Sequence, residues 1–238
     1  SGAMAWYSGP TLMAHLEDVD LDRNTDMSQE FCMPVQWVNR PNLDFRGFSG
    51  KIVSGAIKPG DEVRILPSEK TSFVDRIVTY DGDLENAVAG KSITLTLKDD
   101  LDCSRGQVIT AARAPLEVAD QFETTLIWMY EAPLIPGRSY YLNIGTQTVS
   151  ATVAVPKYQI NVNTMEHTAT KTLELNAIGV ANVTTDRSIP FAPYAENRSL
   201  GGFILIDKIT NGTVGAGLIN YSLRRAQNIH WQAMDVTR

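Results

Sequence analysis

The stretch GKIVSGAIKPGDEVRIL (residues 50–66) decides the fold class. Residues 50–55 and 61–66 predict two short β-strands, because each is a brief apolar run bounded by turn-forming residues. Between them, Pro59 and Gly60 predict a tight turn, since glycine adopts a positive φ at little cost. The centre of the first half of the chain is therefore predicted to be a pair of short strands joined by a turn.

Further strand candidates flank this stretch, and they are residues 31–38, 74–80, 92–97 and 107–110. The strand at 92–97 alternates cleanly, which places Ile93, Leu95 and Leu97 on one face. Residues 81–83 (DGD) predict a hairpin turn, and the proline in 31–38 favours an edge strand or the first residues of a strand. Short strands with frequent turns and no helical period predict a small barrel or sandwich.

A second β unit follows a predicted boundary at residues 113–116. Its strand candidates are residues 122–129, 140–144, 149–155, 173–175, 179–184, 202–207 and 211–218. No internal repeat of 20–50 residues links the two units. We therefore predict an all-β chain with two consecutive β-domains.

The two ends of the chain differ from this pattern. Leu12, Met13, Leu16 and Val19 form one apolar stripe after a capping sequence, which predicts a short N-terminal helix. A polar linker is expected over 18–29 and a locally basic linker over 221–238. Residues 1–5 (SGAMA) are typical of a leftover expression sequence.

Composition and net charge argue against some classes of function. The chain has 238 residues and a formal net charge of −6, which argues against a dedicated nucleic-acid binder. No stretch approaches the length of a membrane-spanning helix, and the start of the chain does not resemble a secretory signal. We expect a cytoplasmic protein in which Cys32 and Cys103 are reduced, small hydrophobic residues. A disulfide or metal site is the alternative, although no nearby Cys or His supports it.

Several motifs resemble catalytic or nucleotide sites without completing them. Residues 47–51 (GFSGK) lack the first glycine and the final Ser or Thr of a phosphate loop, and residues 44–47 (DFRG) follow no such loop. Residues 211–217 (NGTVGAG) precede a strand rather than open a helix, so a turn is expected there. The carboxylates at 99–102, with Glu85, predict a solvated turn. From its residues alone, the chain contains no predicted catalytic, cofactor or metal site.

Other stretches carry a resemblance to a known superfamily. Residues 50–63 resemble the second-domain signature of translation-factor GTPases, and residues 104–109 resemble the closing strand of that barrel. Residues 134–140 and 212–217 are similar to the third-domain barrel. The resemblance implies two consecutive antiparallel β-barrels of the translation-factor type.

A narrower resemblance covers nearly everything from Trp6 onward. Residues 6–12 (WYSGPTL), 38–47 (VNRPNLDFRG) and 78–83 (VTYDGD) resemble the GTPase subunit of bacterial sulfate adenylyltransferase. Residues 224–233 resemble the junction found where an adenylylsulfate kinase domain is fused. The implied organisation is the end of a GTPase domain and a linker (6–29), barrel domain II (30–114), barrel domain III (115–222) and a linker toward a kinase (223–238).

The resemblance also implies a function. The family forms adenosine 5′-phosphosulfate and diphosphate from ATP and sulfate in a catalytic subunit, and GTP hydrolysis in this subunit drives the synthesis. GTP and Mg²⁺ would belong to a GTPase domain outside this chain, so this fragment is expected to be inactive alone. Its expected partners are the catalytic subunit, its own GTPase domain and a fused kinase domain, with no membrane and no nucleic acid.

One loop is a candidate contact with a partner or with another domain. It contains Arg40, Asn42, Asp44, Phe45 and Arg46 between two predicted strands. The alternative is a structured turn in which Arg40 or Arg46 pairs with Asp44. For the whole chain, the rival hypotheses are a translation-factor-like module that binds tRNA or the ribosome, and an inert assembly scaffold.

Overall fold

The computed structural model describes residues 6–19, 29–42 and 45–223. The predicted expression remnant at 1–5, most of the linker at 18–29, Asp44 and the tail from 224 onward lie outside the described residues. Within the described residues the structure has two helices, α1 (Leu12–Asp18) and α2 (Arg198–Gly201). None of the described helices is long and apolar enough to cross a membrane.

The first antiparallel sheet is built from the first half of the chain. Its strands are β1 (Cys32–Pro34), β2 (Trp37–Asn39), β3 (Gly47–Lys51), β5 (Glu62–Leu66), β6 (Lys70–Thr79), β7 (Gly82–Leu84), β9 (Ser92–Leu97) and β10 (Val108–Ala111), while β4 (Ala56–Ile57) and β8 (Ala87–Val88) form a separate pair. The strand order is β1-β10-β5-β6-β9-β3-β2, with β7 beside β6. The predicted turn is present, since Gly60 has φ +89° and the Lys58 amide donates to Asp61 Oδ2 at 3.0 Å.

The ends of this sheet curl back toward each other. The Gln36 amide, which follows β1, donates to the Ser49 carbonyl on β3 at 2.9 Å. Cys32 on β1 also forms an isolated bridge with Ser54, just beyond β3. These bonds leave little free edge between β1 and β3, which limits edge-to-edge association.

The second sheet closes into a barrel. Its strands are β11 (Glu117–Trp128), β12 (Ser139–Ile144), β13 (Gln147–Val153), β14 (Tyr158–Ile160), β15 (His167–Thr168), β16 (Ile178–Phe191), β17 (Gly202–Asp207) and β18 (Thr213–Ser222). The order β11-β18-β17-β12-β13-β16 returns to β11 through a β11–β16 ladder, so six strands form a closed ring. The prediction of an all-β chain with two consecutive antiparallel β-domains and a short N-terminal helix is confirmed.

Some local predictions were wrong. Residues 173–175 form no strand; Leu173 is a buried residue whose carbonyl accepts from the Leu134 amide at 2.9 Å. The strand predicted at 50–55 instead covers Gly47–Lys51, because the chain must turn before β4. Helix α1 begins as predicted, with Thr11 Oγ1 accepting from the Ala14 amide at 3.2 Å. Its apolar stripe is exposed, however, and no residue of the helix is buried.

Each barrel has its own apolar core, and a third, smaller cluster joins them. Cys32 and Val108 from the first barrel pack with Ala192 and Leu200 from the second. All four are buried. We call this cluster the junction. The junction determines which side of the first barrel faces the second barrel. The β2–β3 loop lies on another part of the first barrel.

Candidate docking site

The predicted contact loop connects β2 to β3. Asn39 at the end of β2 pairs with Gly47 at the start of β3, so the loop spans residues 40–46. Arg40 and Asn42 are exposed, whereas Phe45 and Arg46 are half-buried. The structure therefore divides the predicted contact residues into two exposed polar side chains and a half-buried pair beside the strand.

Arg46 is an anchor of this loop. Its Nη1 lies 2.7 Å from Asp100 Oδ1, and its Nη2 lies 2.7 Å from Asp102 Oδ1. Its guanidinium also lies 5.8 Å from the centre of the Phe48 ring. Arg46 thus pairs with two carboxylates more than fifty residues away in sequence, while the alternative pairing with Asp44 lies outside the described residues.

The electrostatics of this anchor follow from its geometry. The hydrogen bond from Arg46, reinforced by its charge, lowers the pKa of Asp102 below the usual carboxyl range. The same two hydrogen bonds raise the pKa of Arg46, which therefore stays charged. The Arg46 side chain is 23% exposed, while both aspartates are largely exposed, so the pair holds the loop without being deeply buried.

Phe45 depends on the absence of a side chain at Gly47. A Cβ on Gly47 would lie 2.8 Å from Phe45 Cε1 and 2.4 Å from Thr94 Cγ2. Both distances are far below van der Waals contact, so glycine lets the aromatic ring lie against the strand. The Phe45 ring is thereby held beside Arg46 at the base of the loop.

Beside the loop lies an open, highly charged cleft of about 330 Å³. Arg40, Phe45 and Arg46 line one side, and residues of β6, β9 and the turn after β9 line the other. Arg76 in this cleft makes an ion pair with Asp83, with Nε 2.6 Å from Oδ2. Charges of both signs line the cleft, and such a pattern suits recognition of a polar protein surface.

The acidic turn after β9 has a structural role that the sequence did not reveal. Asp100 and Asp102 hold Arg46, and Asp99 Oδ2 accepts from Ser72 Oγ at 2.7 Å. Within residues 6–19, 29–42 and 45–223, no three His, Cys, Asp or Glu side chains lie close enough together to hold a metal ion. Sequence reasoning missed this role because it depends on the pairing of strands that are far apart in sequence. Strand β3 pairs with β9, and Gly47 lies opposite Thr96.

Two exposed aromatic residues were also missed. Trp37, 65% exposed, and Tyr80, fully exposed, stand on either side of a second groove on the first barrel. The groove floor is polar, with Ser49 Oγ 2.8 Å from Thr94 Oγ1. Exposed aromatic residues beside small polar ones are typical of protein contact surfaces.

The remaining nucleotide-like motifs have structural explanations. Residues 47–51 are strand β3, and the glycine-spaced run at 211–217 follows the β17–β18 turn and forms the start of β18 from Thr213. That turn is capped by Asp207, whose Oδ1 accepts from the amides of Ile209 at 2.8 Å and Thr210 at 2.9 Å. The cysteines are free and buried, as expected, and burial raises the pKa of Cys103 to about 12.

Two family profiles match the chain. Residues 48–110 match the profile described as elongation factor Tu domain 2, and residues 121–220 match the one described as GTP-eEF1A C-terminal domain-like. Among solved structures, Sup35 complexed with GDP superposes with a TM-score of 0.78, covering 92% of this chain and 53% of Sup35. At 21% identity, this likeness shows the shared fold alone.

Relatives at higher identity narrow the family. The chain is 53% identical to bifunctional enzyme NodQ of Rhizobium sp. (strain N33), over 99% of this chain and 36% of NodQ. It is 44% identical to bifunctional enzyme CysN/CysC of Xylella fastidiosa (strain Temecula1 / ATCC 700964), over 99% of this chain and 38% of that enzyme. It is 48% identical to sulfate adenylyltransferase subunit 1 of Aliivibrio salmonicida (strain LFI1238), over 92% of this chain and 46% of that subunit.

The chain thus spans less than half the length of each of these relatives. The matched part holds the two barrels, in the order that the two family profiles give. The chain belongs to the family of sulfate adenylyltransferase subunit 1 and the NodQ and CysN/CysC enzymes, and it corresponds to their translation-factor-like barrel region.

Proposed function

We propose that this chain is the non-catalytic barrel portion of a GTP-dependent sulfate adenylyltransferase subunit, which acts in sulfate activation in the cytoplasm. In this proposal, a GTPase domain outside the chain holds GTP and Mg²⁺. The barrels transmit its nucleotide state to a separate catalytic subunit, which joins ATP and sulfate. A fused adenylylsulfate kinase is the proposed neighbour on the C-terminal side, and 30–114 and 115–222 are the proposed domain limits.

The observation that carries this proposal is the 48% identity to a protein named sulfate adenylyltransferase subunit 1. The described residues add a physical reason. A closed ring of strands resists deformation, and the junction of Cys32, Val108, Ala192 and Leu200 packs the second barrel against the first. A displacement at one end of such a unit reaches the other end as a rigid-body movement.

The β2–β3 loop is the proposed docking element. Arg40 and Asn42 are exposed, while Arg46 and Phe45 hold the base of the loop in place. A pre-arranged loop loses little conformational entropy on binding, so its exposed polar groups contribute more to affinity. In this arrangement Arg40 and Asn42 are the contacts, and Arg46 positions them.

The test uses the full-length subunit and its catalytic partner. We expect Arg40→Ala combined with Asn42→Ala to weaken the affinity for the catalytic subunit or the GTPase domain about tenfold, equivalent to about 1.4 kcal/mol. Lys171→Ala removes an exposed basic side chain from the second barrel and is the matched control. Unchanged affinity for both partners would refute the docking role, while the family assignment would stand.

The same proteins separate the two rival functions. A translation-factor-like module would bind tRNA or ribosomes with an affinity that falls steeply as salt is added. An inert scaffold would bind the catalytic subunit equally with GTP and with GDP. We expect neither behaviour, and we expect the 238-residue chain alone to hydrolyse neither GTP nor ATP.

A further inference from the structure

A cleft of about 470 Å³ opens where the two barrels meet. On the first barrel it is bordered by the turn before β10, and on the second by the β12–β13 hairpin. The two come close together there, since a Cβ on Gly106 would lie 3.4 Å from the Gln147 side chain. Clefts at domain boundaries are common ligand sites, and this volume suits a small molecule.

The cleft is positively charged although the whole chain carries a net charge of −6. Its lining includes Arg105 from the first barrel and Arg187 from the second. The other lining residues carry hydroxyl, amide or apolar side chains, and none is a carboxylate. Neither arginine forms an ion pair with any described residue. The charge of both guanidinium groups is therefore not neutralised within the described part of the chain.

Both guanidinium groups are oriented by backbone carbonyls. Arg105 Nη1 donates to the Gln36 carbonyl at 3.1 Å, and Arg187 Nη2 donates to the Thr148 carbonyl at 2.9 Å. Each bond uses one nitrogen of a group that has five donor hydrogens. The remaining donors of a planar guanidinium match the paired oxygens of a phosphate or sulfate group.

We propose that this cleft binds a small anion that carries phosphate or sulfate groups, held by Arg105 and Arg187. Because the two arginines belong to different barrels, the bound anion bridges them and stabilises their docked arrangement. The inference is independent of the proposed docking role of the β2–β3 loop, since none of the loop residues lines this cleft.

The test is isothermal titration of the 238-residue chain at low ionic strength with pyrophosphate, sulfate and ATP in turn. We expect Arg105→Gln and Arg187→Gln each to weaken pyrophosphate binding at least tenfold. Arg113→Gln, which removes the same charge at an exposed site paired with Glu30, is the control and should change binding little. Tighter binding of ATP than of pyrophosphate would identify a nucleotide as the source of the anion, and tighter binding of sulfate would identify the free oxyanion.

Arg187→Lys separates a built site from general charge attraction. This change keeps the net charge but replaces the planar guanidinium fork with a single ammonium group, so we expect pyrophosphate binding to weaken several-fold. Circular dichroism checks that each variant is folded. The proposal is overturned if no anion binds, if Arg113→Gln weakens binding as much as the cleft variants do, or if Arg187→Lys binds pyrophosphate as tightly as the unaltered chain.

Discussion

Two surfaces of the first barrel differ in what they bury. At the junction, β1 and β10 place Cys32 and Val108 against the second barrel, and nothing charged intervenes within that cluster. At the β2–β3 loop, Arg40 and Asn42 are exposed, and so is Trp37 at the start of β2. The first surface holds the two barrels together, while the exposed side chains of the second support its proposed docking role.

The junction is the place where a single change should have the largest effect. Leu200→Ala removes a buried side chain that packs between the barrels, and we expect it to lower the free energy of unfolding by about 2–5 kcal/mol. Urea denaturation measures the effect. Ile209→Ala, at an exposed position on the second barrel, should change the free energy of unfolding by less than about 0.5 kcal/mol. Equal effects would remove the distinction between the junction and the surface.

The loop anchor should contribute less, because its ion pairs are partly exposed. Arg46→Ala leaves Asp100 and Asp102 unpaired and removes packing against Phe48, so we expect a loss of about 1 kcal/mol in stability. The measurement is again urea denaturation. Arg46→Lys keeps the charge but cannot reach both carboxylates in the same fork, and it should recover only part of the loss. Full recovery would show that charge alone holds the loop.

The smallest expected effect is the pH dependence of that anchor. Arg46 lowers the pKa of Asp102 in the folded state, so this carboxylate stabilises the native chain above the unfolded-state pKa of about 3.9. The contribution is lost as the pH falls through the lower folded-state value. The stability difference between the unaltered chain and Arg46→Ala should therefore be full at about pH 6 and shrink below about pH 4. A difference that stays constant across this range would contradict the assignment.

Local signals in the sequence predicted much of the fold. The alternation at 92–97 gave β9 with its observed ends, and the DGD turn at 81–83 gave the β6–β7 hairpin. These features depend on residues close together in the chain, where backbone preferences and periodicity act directly. The turn at Pro59 and Gly60 belongs to the same class.

Features that depend on distant residues were not predicted. All five residues from Phe31 to Val35 are buried, because β1 lies between the first core and the second barrel and so has no solvent-facing side. A strand was predicted at 31–38, but alternation cannot indicate that both of its faces are buried, since it assumes that one face meets water. The contact of Arg46 with its two aspartates was also not predicted, because it depends on the pairing of β3 with β9.

In the proposed function, the two barrels transmit a displacement as one rigid unit. The junction must then be a distinct contact that shields one side of the first barrel from solvent. The two cysteines test this within one molecule, since Cys32 lies in the junction and Cys103 lies in the core of the first barrel. Both are 2% exposed, and burial raises the pKa of each thiol, so neither should react readily in the native chain.

The most direct measurement is the rate at which a thiol reagent modifies each cysteine under native conditions, with and without Leu200→Ala. We expect that substitution to accelerate modification of Cys32 while Cys103 stays protected, because loosening the junction uncovers Cys32 without opening the first core. If both thiols accelerate together, or if neither does, the junction is not a separate contact and the central claim is wrong.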